Sequence, residues 1–195
     1  MEKFNSAGMK FREALSKNSP LKLVGTVNAY TALLAEKSGH QAIYLSGGGV
    51  AASSLGVPYL GITSLQDVLI DVERITNVTE IPLLVDADTG FGNALNVQRT
   101  VKLFERMGAS AIQLEDQTLP KRCGHLAGKT LVSVEEMTGK LKAALDARLD
   151  VDTMIIARTD AVAVEGFEAA LDRAEAYADA GADMLFVEAP RDEAQ

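Results

Sequence analysis

The chain has 195 residues, 47% of them hydrophobic and 24% charged, which suits one domain with a substantial core. Its formal charge of -8 argues against a nucleic-acid or anionic-membrane surface, either of which needs a basic patch. A small anionic substrate stays open, because a few local cations or a metal can reverse the field inside a pocket. Met1-Glu2-Lys3-Phe4-Asn5 lacks a basic region followed by an apolar stretch, so no signal peptide is expected. Residues 38–66 carry no Asp, Glu, Lys or Arg, but Gly47, Gly48, Gly49, Gly56, Pro58 and Gly61 interrupt them, which excludes a membrane span. The single cysteine cannot form an internal disulfide and fits a reducing cytoplasm.

In chain order, residues 4–16 are expected to form a helix within an N-terminal extension over residues 1–18. Apolar runs then follow at 24–27, 42–45, 83–85, 111–114, 154–157 and 184–187. Each ends in a polar or charged residue: Asn28, Ser46, Asp86, Glu115, Arg158 and Glu188. Helices are expected between them at 30–37, 64–76, 94–107, 133–148 and 166–180. The segment 94–107 shows Val97, Val101 and Phe104 on one face, and 166–180 shows Phe167, Ala170, Leu171, Ala174 and Tyr177. Gly39, Gly108 and Gly181 recur where a helix ends and a strand starts a few residues later, the place for a left-handed C′ residue.

Continuously apolar strands alternating with helices imply a parallel sheet. Reactive groups at the C-terminal strand ends imply the catalytic face of a (β/α)₈ TIM-type barrel, of which this chain supplies about six units. The alternative is an open, doubly wound sheet, which needs polar groups only at one switch-point crevice. Here every strand has a polar tip. The expected organisation is therefore a single barrel domain over residues 1–195, incomplete at its C-terminus, with a further helix starting at 191–195.

Asp86 and Asp88, two apart at a strand end, are expected to project from the same face and form a hard-cation site. Mg²⁺ suits one or two carboxylates plus waters, and Glu115 on the neighbouring strand is near enough to hold one of those waters. Mn²⁺ accepts the same oxygen donors. An isolated Asp-x-Asp more often caps a loop or helix, but the apolar strand before it and Gly90-Phe91-Gly92 after it favour a site. A free cysteine is usually a small buried hydrophobe. Cys123, however, stands in a polar loop beside Lys121, Arg122 and His125, where positive charge favours proton exchange. His40, at a helix–strand turn, has a surface role. Ser46-Gly47-Gly48-Gly49 offers N–H groups and a hydroxyl to an anion, or is a flexible βα turn. Arg158 either clamps a carboxylate or pairs structurally with Asp160.

These residues give the chain its resemblance to the isocitrate lyase and phosphoenolpyruvate mutase superfamily, and within it to the 2-methylisocitrate lyase branch. The carriers are Tyr44-Leu45-Ser46-Gly47-Gly48-Gly49, Asp86-Ala87-Asp88 with Gly90-Phe91-Gly92, Glu115-Asp116-Gln117, Lys121-Arg122-Cys123-Gly124-His125 and Ala157-Arg158-Thr159-Asp160. The resemblance implies a (β/α)₈ barrel that exchanges its last helix between subunits of a homotetramer. It also implies Mg²⁺-dependent cleavage of 2-methylisocitrate to pyruvate and succinate in propionate breakdown. Carried over by position, Asp86 and Asp88 hold the metal and Glu115 helps through water. Ser46, Gly47 and Gly48 bind the pyruvate-forming end, and Cys123 is the general acid, supported by Gly124 and His125. Arg158 and Glu188 complete the substrate shell, and Tyr44 sits near the hydroxyl that loses its proton. The family commonly has an aspartate where this chain has Tyr59. Competing readings are another superfamily activity, such as isocitrate lyase or oxaloacetate decarboxylase, and a non-catalytic remnant acting through subunit contacts. The direct run from Asp116 to the cysteine loop leaves no room for the insertion of true isocitrate lyases.

Overall fold

The structure, a computed structural model, describes residues 5–191. Phe4, at the start of the expected first helix, and residues 192–195, in the expected last one, lie outside the described residues. Six strands form one parallel sheet: β1 (Val24–Thr26), β2 (Ile43–Leu45), β3 (Leu83–Asp86), β4 (Ala111–Glu115), β5 (Met154–Thr159) and β6 (Met184–Val187). Their spatial order is β1-β2-β3-β4-β5-β6. Each strand pairs with the next in sequence, so every crossover advances in one direction and no switch point arises. This is the winding of a barrel, and it rules out the doubly wound alternative. Among the described residues β1 and β6 each have a single strand neighbour.

The connecting helices start where the sequence supplies caps. Asn28 and Thr31 form a capping box for α2 (Ala29–Lys37), and Ser64 and Asp67 form one for α4 (Leu65–Thr76). Asn93 caps α5 (Ala94–Arg106), and Ser133 caps α6 (Val134–Ala147) with Glu135 and Glu136 in its first turn. Each satisfies N–H groups that the helix cannot, and the acidic pair also favours the positive helix end. Gly39, Gly108 and Gly181 have φ of 85°, 87° and 102°, the left-handed endings expected of them.

Two local differences have physical causes. The Ser46-Gly47-Gly48-Gly49 segment is a helix rather than a flexible turn. Ser46 caps the short α3 (Gly47–Val50), which runs into a π-helical turn over Ala51–Leu55. Capping and the burial of Val50 and Ala51 outweigh the poor helix propensity of three glycines. In α7 (Phe167–Asp179) Leu171 is exposed while Arg173 is buried. The helix turns Arg173 inward because it pairs there with Glu165 and Asp116.

Strand alternation divides the core. Ile43, Leu45, Leu83, Val85, Ile112, Leu114, Ile155 and Ala157 pack outward with the helices. Ala42, Leu84, Ala111, Met154 and Ile156 face the other way and meet Phe11 of α1 (Ala7–Lys17). That inner row is apolar at the N-terminal strand ends. Continuing along the same rows brings Tyr44, Asp86, Gln113, Glu115 and Arg158. Register sets Asp86 beside Gln113, Glu115 beside Arg158, and Arg158 beside Phe186.

Candidate active site

A cavity of about 760 Å³ opens inside the arc of strands. Tyr44, Ser46, Gly48, Asp86, Cys123, Gly124, His125, Arg158 and Glu188 all line it. Residues up to 144 positions apart in sequence thus converge on one space. Gly47, Asp88 and Glu115 do not line it directly; they lie behind the wall that Asp86 and Tyr59 form.

Asp86, Asp88 and Glu115 are buried, and one carboxylate oxygen from each lies within 4.8 Å of the others. Asp86 is the last residue of β3. Asp88 lies beyond the strand with φ of 49°, so the two do not converge through simple strand alternation. The left-handed turn, which Asp tolerates better than most residues, brings Asp88 back beneath Asp86. Its N–H donates to Asp86 Oδ1 at 3.2 Å. Gly47 N–H donates to Asp86 Oδ2 at 3.2 Å. A Cβ on Gly47 would lie 2.5 Å from the Tyr59 hydroxyl and 3.0 Å from Asp88 Oδ1, so only glycine fits there.

The cationic partners are Lys121 and Arg158. Lys121 Nζ lies 3.0 Å from Asp88 Oδ1 and 3.2 Å from Glu115 Oε1. Chain adjacency puts Lys121 beside Cys123, but the fold buries its ammonium against the carboxylates instead. Arg122 also turns away, donating to the Ala127 carbonyl at 3.3 Å. Neither Glu115 oxygen, nor Lys121 Nζ, has a hydrogen-bond partner among the described residues. Burial pushes Glu115 well above the usual carboxylate range, with Lys121 opposing and Asp86 adding to the rise. Burial also raises Asp88, reinforced by Asp86. Lys121 is raised overall because Glu115, Asp88 and Asp86 outweigh its burial. Three crowded carboxylates with one dedicated ammonium, and two unpartnered oxygens, fit an oxygen-loving divalent cation.

Arg158 Nε and Nη2 bind Asp160 at 3.0 and 3.1 Å, and Nη2 lies 3.3 Å from Glu188. Burial acts to lower Arg158, but Asp160, Glu115 and Glu188 raise it overall. Its two sequence-level roles therefore coincide: it is paired with Asp160 and also faces the cavity. Lys129, buried, links this pair to the cysteine loop. It pairs with Asp160 at 3.0 Å and donates to the Gly124 carbonyl. Gly124 packs so tightly on Arg158 and Glu188 that a Cβ there would collide with both. Cys123 is half-buried and His125 exposed at the rim. Gln117 braces the loop through two hydrogen bonds to the Arg122 backbone, at 2.9 and 3.0 Å. Burial, then the charge of Asp86, raises the Tyr44 hydroxyl above its ordinary range, which keeps it protonated as a donor.

Sequence reading alone leaves out Lys121 as a site residue, and with it Gln113, Lys129 and Asp160. Gln113 was open to detection, since it shares the inward row of β4 with Glu115; it donates to the Tyr44 hydroxyl at 3.4 Å.

The architecture and this constellation define a class: the chain belongs to the phosphoenolpyruvate phosphomutase family, whose profile matches residues 11–195. Among characterised relatives it is similar to 2-methylisocitrate lyase of Salmonella typhimurium, 62% identical over 186 residues, covering 95% of this chain and 63% of that protein. The 2-methylisocitrate lyase of Shewanella oneidensis is 59% identical over 184 residues, covering 94% and 63%. A solved oxaloacetate acetylhydrolase in complex with 3,3-difluorooxalacetate superposes with a TM-score of 0.91 at 38% identity, covering 96% of this chain and 65% of that one. The chain thus spans about 63% of the length of the curated relatives it matches. No helix among the described residues is long and apolar enough to cross a membrane.

Proposed function

We propose that this protein is a Mg²⁺-dependent carbon–carbon lyase that cleaves 2-methylisocitrate to pyruvate and succinate. The observation that carries the reading is the convergence of Asp86, Arg158 and the Cys123-Gly124-His125 loop on one cavity. Its specificity for 2-methylisocitrate is supported by relatives of that name at about 60% identity. Asp86 and Asp88 would hold Mg²⁺, with Glu115 contributing through water. Bound there, the ion supplies the positive charge that holds an α-hydroxy acid and stabilises negative charge on its oxygen.

The chain's own residues do the rest. Ser46 and Gly48 border the carboxylate end of the pyruvate-forming half, and Gly47 supports them from behind by donating to Asp86. Arg158, kept charged by Asp160 and Glu188, receives a substrate carboxylate. The Tyr44 hydroxyl orients the substrate oxygen whose proton departs. The bond between the hydroxyl-bearing carbon and its neighbour then breaks, and its electron pair passes to the succinate carbon. Cys123 gives that carbon a proton from Sγ, and the proton shed by the hydroxyl passes to solvent, which returns one to the thiolate when the products leave, so the cycle balances. His125 and Gly124 support the acid, and the loop excludes water. A homotetramer in a reducing cytoplasm, with the barrel as a single domain, belongs to the same reading.

The test is pyruvate formation from 2-methylisocitrate, isocitrate and oxaloacetate, with and without chelator. The expected result is cation-dependent turnover with 2-methylisocitrate preferred. Preference for either other substrate would reject the assignment, and full turnover in excess chelator would reject the role of the metal.

A further inference from the structure

Tyr59 occupies an unusual position among the cation-binding carboxylates. Its hydroxyl lies 3.0 Å from Asp86 Oδ2 and in short contact with Asp88 Oδ1. Lys121 Nζ sits 3.6 Å from the centroid of its ring. The oxygens that it meets are otherwise engaged too: Asp86 Oδ2 receives Gly47 N–H, and Asp88 Oδ1 faces Lys121. Asp86 Oδ1 receives Asp88 N–H. A hard cation joining Asp86 and Asp88 through Asp86 Oδ2 and Asp88 Oδ1 therefore competes with the phenol for oxygens that already have other partners.

We propose that Tyr59 is a built-in competitor of the cation: its hydroxyl bridges Asp86 and Asp88, its ring seats Lys121, and together they hold the carboxylates close until a cation takes the hydroxyl's place. The inference rests on the metal reading above. Tyr59 acts as a positioning residue that lowers cation affinity and stabilises the cation-free protein. Gly47 is part of the device, since any side chain there would displace the phenol. The hydroxyl's contribution is confined to the cation-free state, so removing it should favour the bound state by linkage.

The experiment titrates Mn²⁺ into wild type and Tyr59→Phe, following free Mn²⁺ by electron paramagnetic resonance, alongside melting temperatures in chelator. The variant should bind Mn²⁺ about tenfold more tightly, the size of one hydrogen bond to a charged group, and should melt lower without cation. The chain has four tyrosines and no tryptophan, so its near-ultraviolet absorption reports on phenols. Saturating Mg²⁺ should give a tyrosine difference spectrum in wild type that is absent from Tyr59→Phe. A merely structural role would not tighten binding. Mn²⁺ binding by wild type with equal or weaker binding by the variant would overturn this inference and leave the metal reading standing. Binding by neither protein would overturn both.

Discussion

Glu115 and Asp116 are consecutive, and both are essentially inaccessible, at 1% and 0% exposure, yet the protein treats them oppositely. Asp116 accepts from Thr159 Oγ1 at 2.7 Å, Asp160 N–H at 3.0 Å, the Tyr177 hydroxyl at 2.8 Å and Arg173 Nη1 at 3.4 Å. Among the described residues the Glu115 carboxylate accepts no hydrogen bond and has only ion pairs, with Lys121 and with Arg158 at 3.6 Å. Burial raises both acids above the ordinary carboxylate value, but Asp116's donors pull it back, while Glu115 is left well above. Asp116 is a charge whose surroundings are complete, tying β4, β5 and α7 together. Glu115 belongs to a cluster whose surroundings are unfinished. A buried charge left short of partners is costly, and that separates the site-building acid from the fold-building one.

The comparison can be broken most forcefully on the site side. Asp86→Ala should cut turnover by about a thousandfold or more and abolish the Mg²⁺ response, while lowering the melting temperature of the metal-free protein by less than Asp116→Ala does. A large loss of stability there would make Asp86 another Asp116. On the fold side, Asp116→Ala strands Arg173, Tyr177 and Thr159 and should cost about 3–5 kcal/mol in denaturant unfolding. Mn²⁺ affinity of the folded variant should stay near that of wild type. Next in size, Cys123→Ser should lower kcat by about a hundredfold or more with KM little changed, because a hydroxyl fits but is a weaker acid. A rise in KM alone would make Cys123 a binding group.

The smallest effect is a pH slope. Glu115's folded pKa is raised, so its contribution to stability is full below the ordinary carboxylate range and is lost as pH rises through the folded value. Metal-free wild type should lose melting temperature as pH climbs from that range, and Glu115→Gln should flatten the decline. Asp160 has the opposite sign. Burial would raise it, but Arg158 and Lys129 hold it below its ordinary value, so its stabilisation is present above the ordinary carboxylate range and is lost as pH falls through the lower folded value. Melting scans in chelator across both ranges separate the two.

The strands were legible because each apolar run ends at a polar residue, and the observed strands start and stop within a residue or two of those runs. Glycines at C′ positions marked the helix ends equally well. Direction was harder to read. Lys121 stands two residues from Cys123 in the chain, yet its four-carbon stem reaches the carboxylates, and no spacing rule specifies that. Tyr59 was visible only as a departure from the family's usual aspartate; its double contact depends on Gly47 having no side chain. Lys129 was hard to read because its ion-pair partner Asp160 meets it only after β5 is laid beside β4, although Gly124 lies in its own loop. Of the two readings open for the glycine run at 47–49, the flexible turn fails because propensity is a weak prior where a cap and a buried neighbour oppose it.

The two-residue pleat of β4 also bears on which sequence changes this barrel tolerates. Gln113 and Glu115 look inward while Ile112 and Leu114 look out. Adding or deleting one codon within β4 would exchange these addresses, sending Glu115 towards the helices and Asp116 towards the cavity. Both the bond network and the carboxylate cluster would fail together. Point substitutions in this strand can be screened one function at a time, whereas length changes cannot. Descent with variation at this segment is therefore confined to replacement, and new lengths are admitted only in the surrounding loops.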